Sequence, residues 1–394
     1  MRIDFSQDRG EIRSLNSVNP ASYKFAYTDT YIKSILDCGS KIVYRLGATI
    51  ERPGHYYHTM PPADYDKWGD ICIQVIRHYN EGWANGFNYG IEYWEIWNEP
   101  ENGPGMWDAP YEEYIKFYIQ TARRIKAACP GIKIGGPAFN GVMLTCRDTM
   151  HKFLSAIKQA DAPLDFCSWH AYPEFPEQLP VAAKDVRRIL DEYGYTRTES
   201  HLNEWNLGPL NGNWYMITDM FTFDKAHIAE YIARKKGPEG AALVASSLIA
   251  LQDAPLDMAN YYDATVGPWG MFDISGLPCK VYYAFIAFHE MLAHTPLRCH
   301  SEGFNPNNGI AALAGRSRDG KLWQILACNF QAAAASFPVE LTGLPAGEYQ
   351  VEHRRLDNHS NLELAETFAH DAIAGRLEIQ ASPRTVQLYT FKRK

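Results

Sequence analysis

Two glutamates stand out by their surroundings. Glu99 lies in "YWEIWNEPEN" (93–102) and Glu204 in "SHLNEWN" (200–206). Each follows an asparagine, has a tryptophan within two residues and ends a β-like run. A strand gains nothing from a carboxylate at its tip unless something there uses the charge. A carboxyl group partly withdrawn from water beside an indole can keep a proton and donate it at neutral pH. A second, better solvated or hydrogen-bonded carboxylate stays ionised and can attack. That division of labour is the one needed to break a glycosidic bond. Glu95 is a third candidate, on the face of Glu99 by strand alternation. It lies deeper and is expected to form a buried ion pair with Arg45 of "YRLG" (44–47).

The elements that would position these groups follow from the pattern around them. Strand candidates are "RSLNSVN" (13–19), "KIVYRLG" (41–47), "IEYWEIWN" (91–98), "IKIGGPA" (132–138), "LDFCSWHA" (164–171), "TRTESHLNE" (196–204) and "LDMANYYD" (256–263). Helical patterns such as 111–128 and 180–193 lie between them. Such alternation predicts a parallel sheet with helical crossovers, and strands carried this far along the chain favour a (β/α)8 TIM barrel over an open sheet. In a barrel the C-terminal strand ends carry the chemistry. No GxGxxG follows the first strand and no phosphate loop occurs, which disfavours a dinucleotide-binding sheet. Beyond about residue 296 the texture changes to short strands broken by Gly, Pro and Asn. These predict a C-terminal antiparallel β-sandwich. The expected partition is a barrel over 11–295 and a sandwich over 296–394, with 1–8 as an extra sandwich strand.

With 394 residues and 46% hydrophobic content the chain can bury a large core. A net charge of −8 argues against a nucleic-acid or acidic-membrane partner and suits a neutral substrate. The start "MRIDFSQDRG" lacks the basic and apolar regions of a signal peptide, so a cytoplasmic location is expected. The 8 cysteines show no CxxC pattern, and Cys72, Cys167 and Cys328 read as reduced core residues. "HYYH" (55–58) lacks an acidic third ligand nearby, which argues against a metal site.

Taken in order, "WEIWNEP", "IGGPA", "SWHAYP" and "NEWN" resemble glycoside hydrolase family 39. That resemblance, which covers the chain from about residue 41, implies a retaining glycosidase of the large (β/α)8 clan, such as a β-xylosidase. It implies Glu99 as general acid/base at the end of strand four and Glu204 as nucleophile at the end of strand seven. Asn98 matches the clan asparagine that hydrogen-bonds the sugar 2-hydroxyl. His170 and Tyr172 should face the cleft, orienting the nucleophile or touching sugar, and Tyr262 and Trp269 are candidates for the sugar platform. Trp205 is a supporting residue, Glu51 and His55 are candidates to line the sugar site, and Trp214 and Tyr215 could cap it. The resemblance implies a small carbohydrate as substrate, no cofactor or metal, and self-association. The alternative is a carbohydrate-binding protein on a degenerate, inactive hydrolase scaffold.

One departure bears on that alternative. Between Asn19 and Pro20 the family's second strand and its helix are expected, and they are absent. Either the segment belongs to the protein but not to this sequence, or it is deleted, or "SYKFAY" (22–27) replaces the strand. A barrel short of one strand exposes two sheet edges. The missing strand also carries an arginine that supports the nucleophile, and Arg45 is the nearest substitute.

Overall fold

The computed structural model describes residues 16–47, 59–141, 147–208, 225–303, 305, 309–333 and 336–394. Six strands form one sheet in chain order: β1 (Val43–Leu46), β2 (Tyr93–Ile96), β3 (Lys133–Phe139), β4 (Phe166–Ala171), β5 (Glu199–Trp205) and β6 (Met258–Tyr261). β1 to β4 pair in parallel. The crossovers are helical: α2 (Tyr65–Asn80) follows β1, α3 (Tyr111–Ala128) follows β2, α4 (Arg147–Gln159) follows β3 and α5 (Gln178–Glu192) follows β4. α6 (Lys225–Lys236) and α7 (Pro238–Leu251) connect β5 to β6, and α8 (Lys280–His294) follows β6.

The segment before β1 differs from expectation. Pro20–Ser22 form a single 3-10 turn, and Asn19 Oδ1 accepts from the Ala21 amide at its start. α1 (Ala26–Asp37) begins four residues later. "SYKFAY" therefore does not replace a strand. An asparagine cap followed by proline initiates a turn, because the cap satisfies an amide and proline has none to satisfy. Of the strand candidate at 13–19, residues 13–15 lie outside the described residues, and 16–19 form a turn, not a strand, closed by Asn19 N on Asn16 O at 3.0 Å.

By packing, the chain divides into two compact units. One holds 1–171, 185–203 and 256–259, the other 172–184, 204–255 and 260–394. In the first, α3 shows how sequence makes structure. Glu112 and Glu113 stand in its first turn and Lys126 in its last, matching the helix dipole. Tyr114, Phe117, Tyr118, Thr121 and Ile125 form its buried stripe at helical spacing. The core beneath is aromatic, with Trp94, Trp107, Trp169, Phe139 and Phe153 fully buried. Gly135 lets β3 approach β4 closely, since a Cβ there would stand 2.2 Å from Phe166 O.

In the second unit an antiparallel sheet runs in the order β12-β11-β14-β9-β8-β7. Its strands are β7 (Leu297–Cys299), β8 (Ile310–Arg316), β9 (Leu322–Asn329), β11 (Glu348–Leu356), β12 (Asn361–Asp371) and β14 (Thr385–Arg393). A two-stranded ribbon of β10 (Ser336–Glu340) and β13 (Arg376–Gln380) closes the sandwich over a core of Ile325, Val339, Tyr349, Val351, Ile379 and Phe391. Cys72, Cys167 and Cys328 are buried and free. Burial pushes the thiols of Cys167 and Cys328 up to about 12, which keeps them protonated. Among the described residues no helix is long and apolar enough to cross a membrane.

Candidate active site

β2 ends at Ile96 and the backbone then turns sharply. Trp97 (φ 71°) and Glu99 (φ 47°) both adopt the left-handed region. Residues other than glycine pay for that conformation, and it persists where neighbours enforce it. Here they do. Trp97 N donates to Leu46 O at 2.8 Å, its indole Nε1 donates to Met106 O at 2.7 Å, and Glu99 N donates to the carbonyls of Pro137 and Ala138, each at 3.2 Å. Glu99 is 7% exposed, and both of its carboxylate oxygens are engaged. Oε1 lies 2.5 Å from His170 Nδ1, and Oε2 accepts from Asn102 Nδ2 at 2.9 Å. His170, at the end of β4, is itself fully buried. The pair can hold one proton between them, on the carboxyl or on the imidazole, in a fixed place.

Asn98, beside Glu99, is partly buried. Its Nδ2 lies 4.0 Å from Met106 Sδ, while no donor among the described residues reaches its buried Oδ1. An amide with an unused acceptor is equipped to take a hydroxyl proton.

Deeper on β2, Glu95 is 1% exposed and pairs with Arg45, the residue opposite it in the β1–β2 register. Its other oxygen accepts from Asn203 Nδ2 at 2.6 Å. The expected ion pair is present, and it removes Glu95 from the list of reactive groups.

Glu204 is the penultimate residue of β5 and is half-buried. The phenolic O–H of Tyr172, in the loop after β4, donates to its Oε1. That loop is held by Gly208, whose amide donates to Pro173 O at 2.8 Å. A Cβ on Gly208 would stand 2.2 Å from Tyr172 O, so only glycine permits the approach. Asn206 then ties the β6 loop to the same strand end. Its Nδ2 donates to Tyr262 O at 2.5 Å and to Trp269 O at 3.2 Å, and Tyr262 N donates to Trp205 O at 3.0 Å. Tyr172, Tyr262 and Trp269 form one aromatic group. The Trp269 ring lies 5.6 Å from Tyr172, edge-on, and 6.1 Å from Tyr262, with all three rings half-buried. Trp205 is fully buried and packs edge-on against Tyr261 at 5.4 Å.

Two clusters therefore contain the expected residues, Glu99 with His170, and Glu204 with Tyr172, Tyr262 and Trp269. Glu51, His55, the "HYYH" motif, Trp214 and Tyr215 lie outside the described residues. Asn102 and Asn206 were not anticipated. Both stand inside or beside the quoted motifs, but nothing in the sequence distinguishes an asparagine that clamps a loop from one that caps a turn.

Residues 8–359 match the family model for glycosyl hydrolases family 39. A β-xylosidase of Geobacillus stearothermophilus is 27% identical over 303 residues, which cover 68% of this chain and 56% of that protein. A β-xylosidase of Caldicellulosiruptor saccharolyticus is 26% identical over 301 residues, 67% of this chain and 56% of the other. The chain thus spans little more than half the length of these curated relatives. Among solved structures, a glucosidase from Croceicoccus marinus is similar with a TM-score of 0.77 at 25% identity, covering 97% of this chain and 84% of that one.

Proposed function

This chain belongs to glycosyl hydrolase family 39, and on that premise we propose that it is a retaining glycosidase acting on a β-linked glycoside or small oligosaccharide. The observation that carries the reading is the paired treatment of two glutamates at strand ends of one sheet. Glu99 is buried against a histidine with which it can share a proton, and Glu204 is half-open and accepts a phenolic hydrogen bond. The first arrangement suits a proton donor and the second a nucleophile.

In the reaction, Glu204 attacks the anomeric carbon as the bond to the leaving oxygen breaks. Glu99 gives its proton to that oxygen. The covalent glycosyl ester is then attacked by water, whose proton returns to Glu99, and the carboxylate of Glu204 leaves. Two displacements restore the starting configuration, and the mechanism needs carboxyl groups about 5–5.5 Å apart. Tyr172 steadies the nucleophile, Asn98 takes the sugar 2-hydroxyl, and Trp269 with Tyr262 offers a flat apolar surface to the ring. Residues 296–394 serve as an accessory domain.

The names of the relatives make a β-xyloside the first substrate to try. Release of nitrophenol should be followed from aryl β- and α-glycosides of xylose, glucose, galactose, fucose and arabinose, with Glu204→Gln beside the wild type. The proposal expects turnover on at least one β-glycoside, lost by a factor of at least about 10³ in the variant. Turnover that survives in Glu204→Gln would remove Glu204 from the mechanism. Sugar binding without turnover in the wild type would instead favour a binding protein on a hydrolase scaffold.

A further inference from the structure

α6 ends in three consecutive cations with three different fates. Arg234 Nη2 donates to Glu239 Oε1 at 2.5 Å, and Lys236 Nζ donates to Phe272 O at 2.6 Å. Lys235, between them, turns inward. It is 1% exposed, and no acceptor among the described residues reaches its Nζ. The amine lies 3.3 Å from the centroid of the Trp269 indole and 5.3 Å from that of Tyr231. A lysine at a helix C-terminus ordinarily stays in water and faces the last carbonyls. An amine buried without an oxygen partner is among the costliest groups a core can hold. Burial pushes Lys235 well below the ordinary lysine range, with Asp263 opposing, Lys236 reinforcing and Glu204 opposing.

What the amine touches gives it a use. An ammonium or amine over an indole face is a directional contact that fixes the ring plane, which an alkyl chain does not. Trp269 in turn meets the ring of Tyr172 edge-on at 5.6 Å, and Tyr172 donates to Glu204 Oε1. Tyr231, the second ring under the amine, is fixed by its own O–H donating to Leu207 O at 2.6 Å, three residues beyond Glu204. We propose that Lys235 is a positioning residue that props one face of the Trp269 indole and, through Trp269 and Tyr172, sets where the Glu204 carboxylate is held. The catalytic part of this inference rests on Glu204 being the nucleophile; the placement of Trp269 does not.

A purely structural lysine and a positioning one agree on stability. Methionine has nearly the same length and no charge to bury, so Lys235→Met should keep or raise the thermal midpoint in either case. The two roles separate on spectroscopy and rate. The protein is labelled with 5-fluorotryptophan at its 10 tryptophans, and the Trp269 signal is identified by its loss in Trp269→Phe. The inference expects Lys235→Met to shift or broaden the Trp269 fluorine resonance and to lower kcat about tenfold, with a smaller change in KM. Lys235→Arg, which keeps N–H groups over the ring, should recover part of both. Should Lys235→Met fail to fold, Lys235→Gln is read in the same way. An unmoved Trp269 resonance overturns the inference whether or not the wild type turns over a glycoside. A moved resonance with unchanged kcat overturns the link to Glu204. A wild type inactive on every glycoside, with the resonance still moved, defeats the glycosidase reading and leaves the placement of Trp269 standing.

Discussion

The phenolic O–H of Tyr172 donates to Oε1 of Glu204. The two residues come from consecutive strand ends, and the bond helps to orient the carboxylate of a half-buried side chain. A hydrogen bond to a charged group is worth about 1.5–3 kcal/mol. Tyr172→Phe should therefore lower kcat/KM by about tenfold to a hundredfold, with a fall in the unfolding midpoint that reflects the same lost bond. Steady-state kinetics on the best aryl glycoside measure this. A variant with wild-type kcat/KM would mean that the bond has no catalytic role.

Gly208 makes that bond possible. A Cβ there would meet the Tyr172 carbonyl oxygen at 2.2 Å and its carbon at 2.9 Å, and backbone has no alternative rotamer to retreat into. Gly208→Ala is expected to cost about 1–3 kcal/mol by urea unfolding and to lower kcat as Tyr172 is displaced. Equal stability of variant and wild type would show that the loop yields freely.

Removal of the proposed proton donor should be sensitive to the leaving group. In Glu99→Ala, a glycoside with a poorly leaving alcohol should lose about 10²–10⁴ in kcat/KM. A dinitrophenyl glycoside needs little protonation and should lose far less in the first displacement. Azide, which attacks without a general base, should accelerate the second step in the variant and give a glycosyl azide. Equal losses on both substrates, with no azide product, would count against Glu99 as the acid/base.

Stability should fall on the acid side. Burial holds His201 and His353 below the ordinary histidine value in spite of the carboxylates Glu199 and Glu366 beside them, and burial lowers His370 against a smaller pull from Asp371. A histidine kept neutral in the fold takes its proton more readily when unfolded. Its stabilising share is present above about pH 6.5 and is lost as the pH falls through the lowered folded value. For Glu199, burial pushes the carboxyl up, but hydrogen bonds from Lys133, His201 and Tyr93 outweigh it and leave it below the ordinary value. Its share is likewise present above the ordinary carboxyl range and lost below it. Urea midpoints should thus drop from pH 7.5 to pH 5, with a shallower slope in His201→Gln. A flat profile over that range would contradict the assignment.

Much of this was legible in the sequence because local pattern and tertiary role agree. The stripe at 111–128 becomes helix Tyr111–Ala128 over the same residues, and the six runs after residue 40 become β1 to β6. Four motifs in order sufficed to place the chain in its family, and the Arg45–Glu95 pair was expected from strand alternation, with the register supplied by the fold. The failures have physical causes. β12 is not legible because most of its positions are exposed on both faces of an edge strand, so no alternation marks it. β7 is 3 residues long, too short to carry a pattern. The arginine–lysine–lysine end of α6 reads as a solvated helix terminus, and only the fold shows that its middle member is buried under an indole.

The central claim is that Glu204 and Glu99 act by double displacement, and the configuration of the first product tests it most directly. Proton NMR of the anomeric region, recorded within the first turnovers of an aryl β-glycoside and before mutarotation, reports which anomer leaves the enzyme. The account predicts the β-anomer first, relaxing later to the equilibrium mixture. The α-anomer first would mean a single displacement by water, and the assignment of Glu204 as a nucleophile would be wrong.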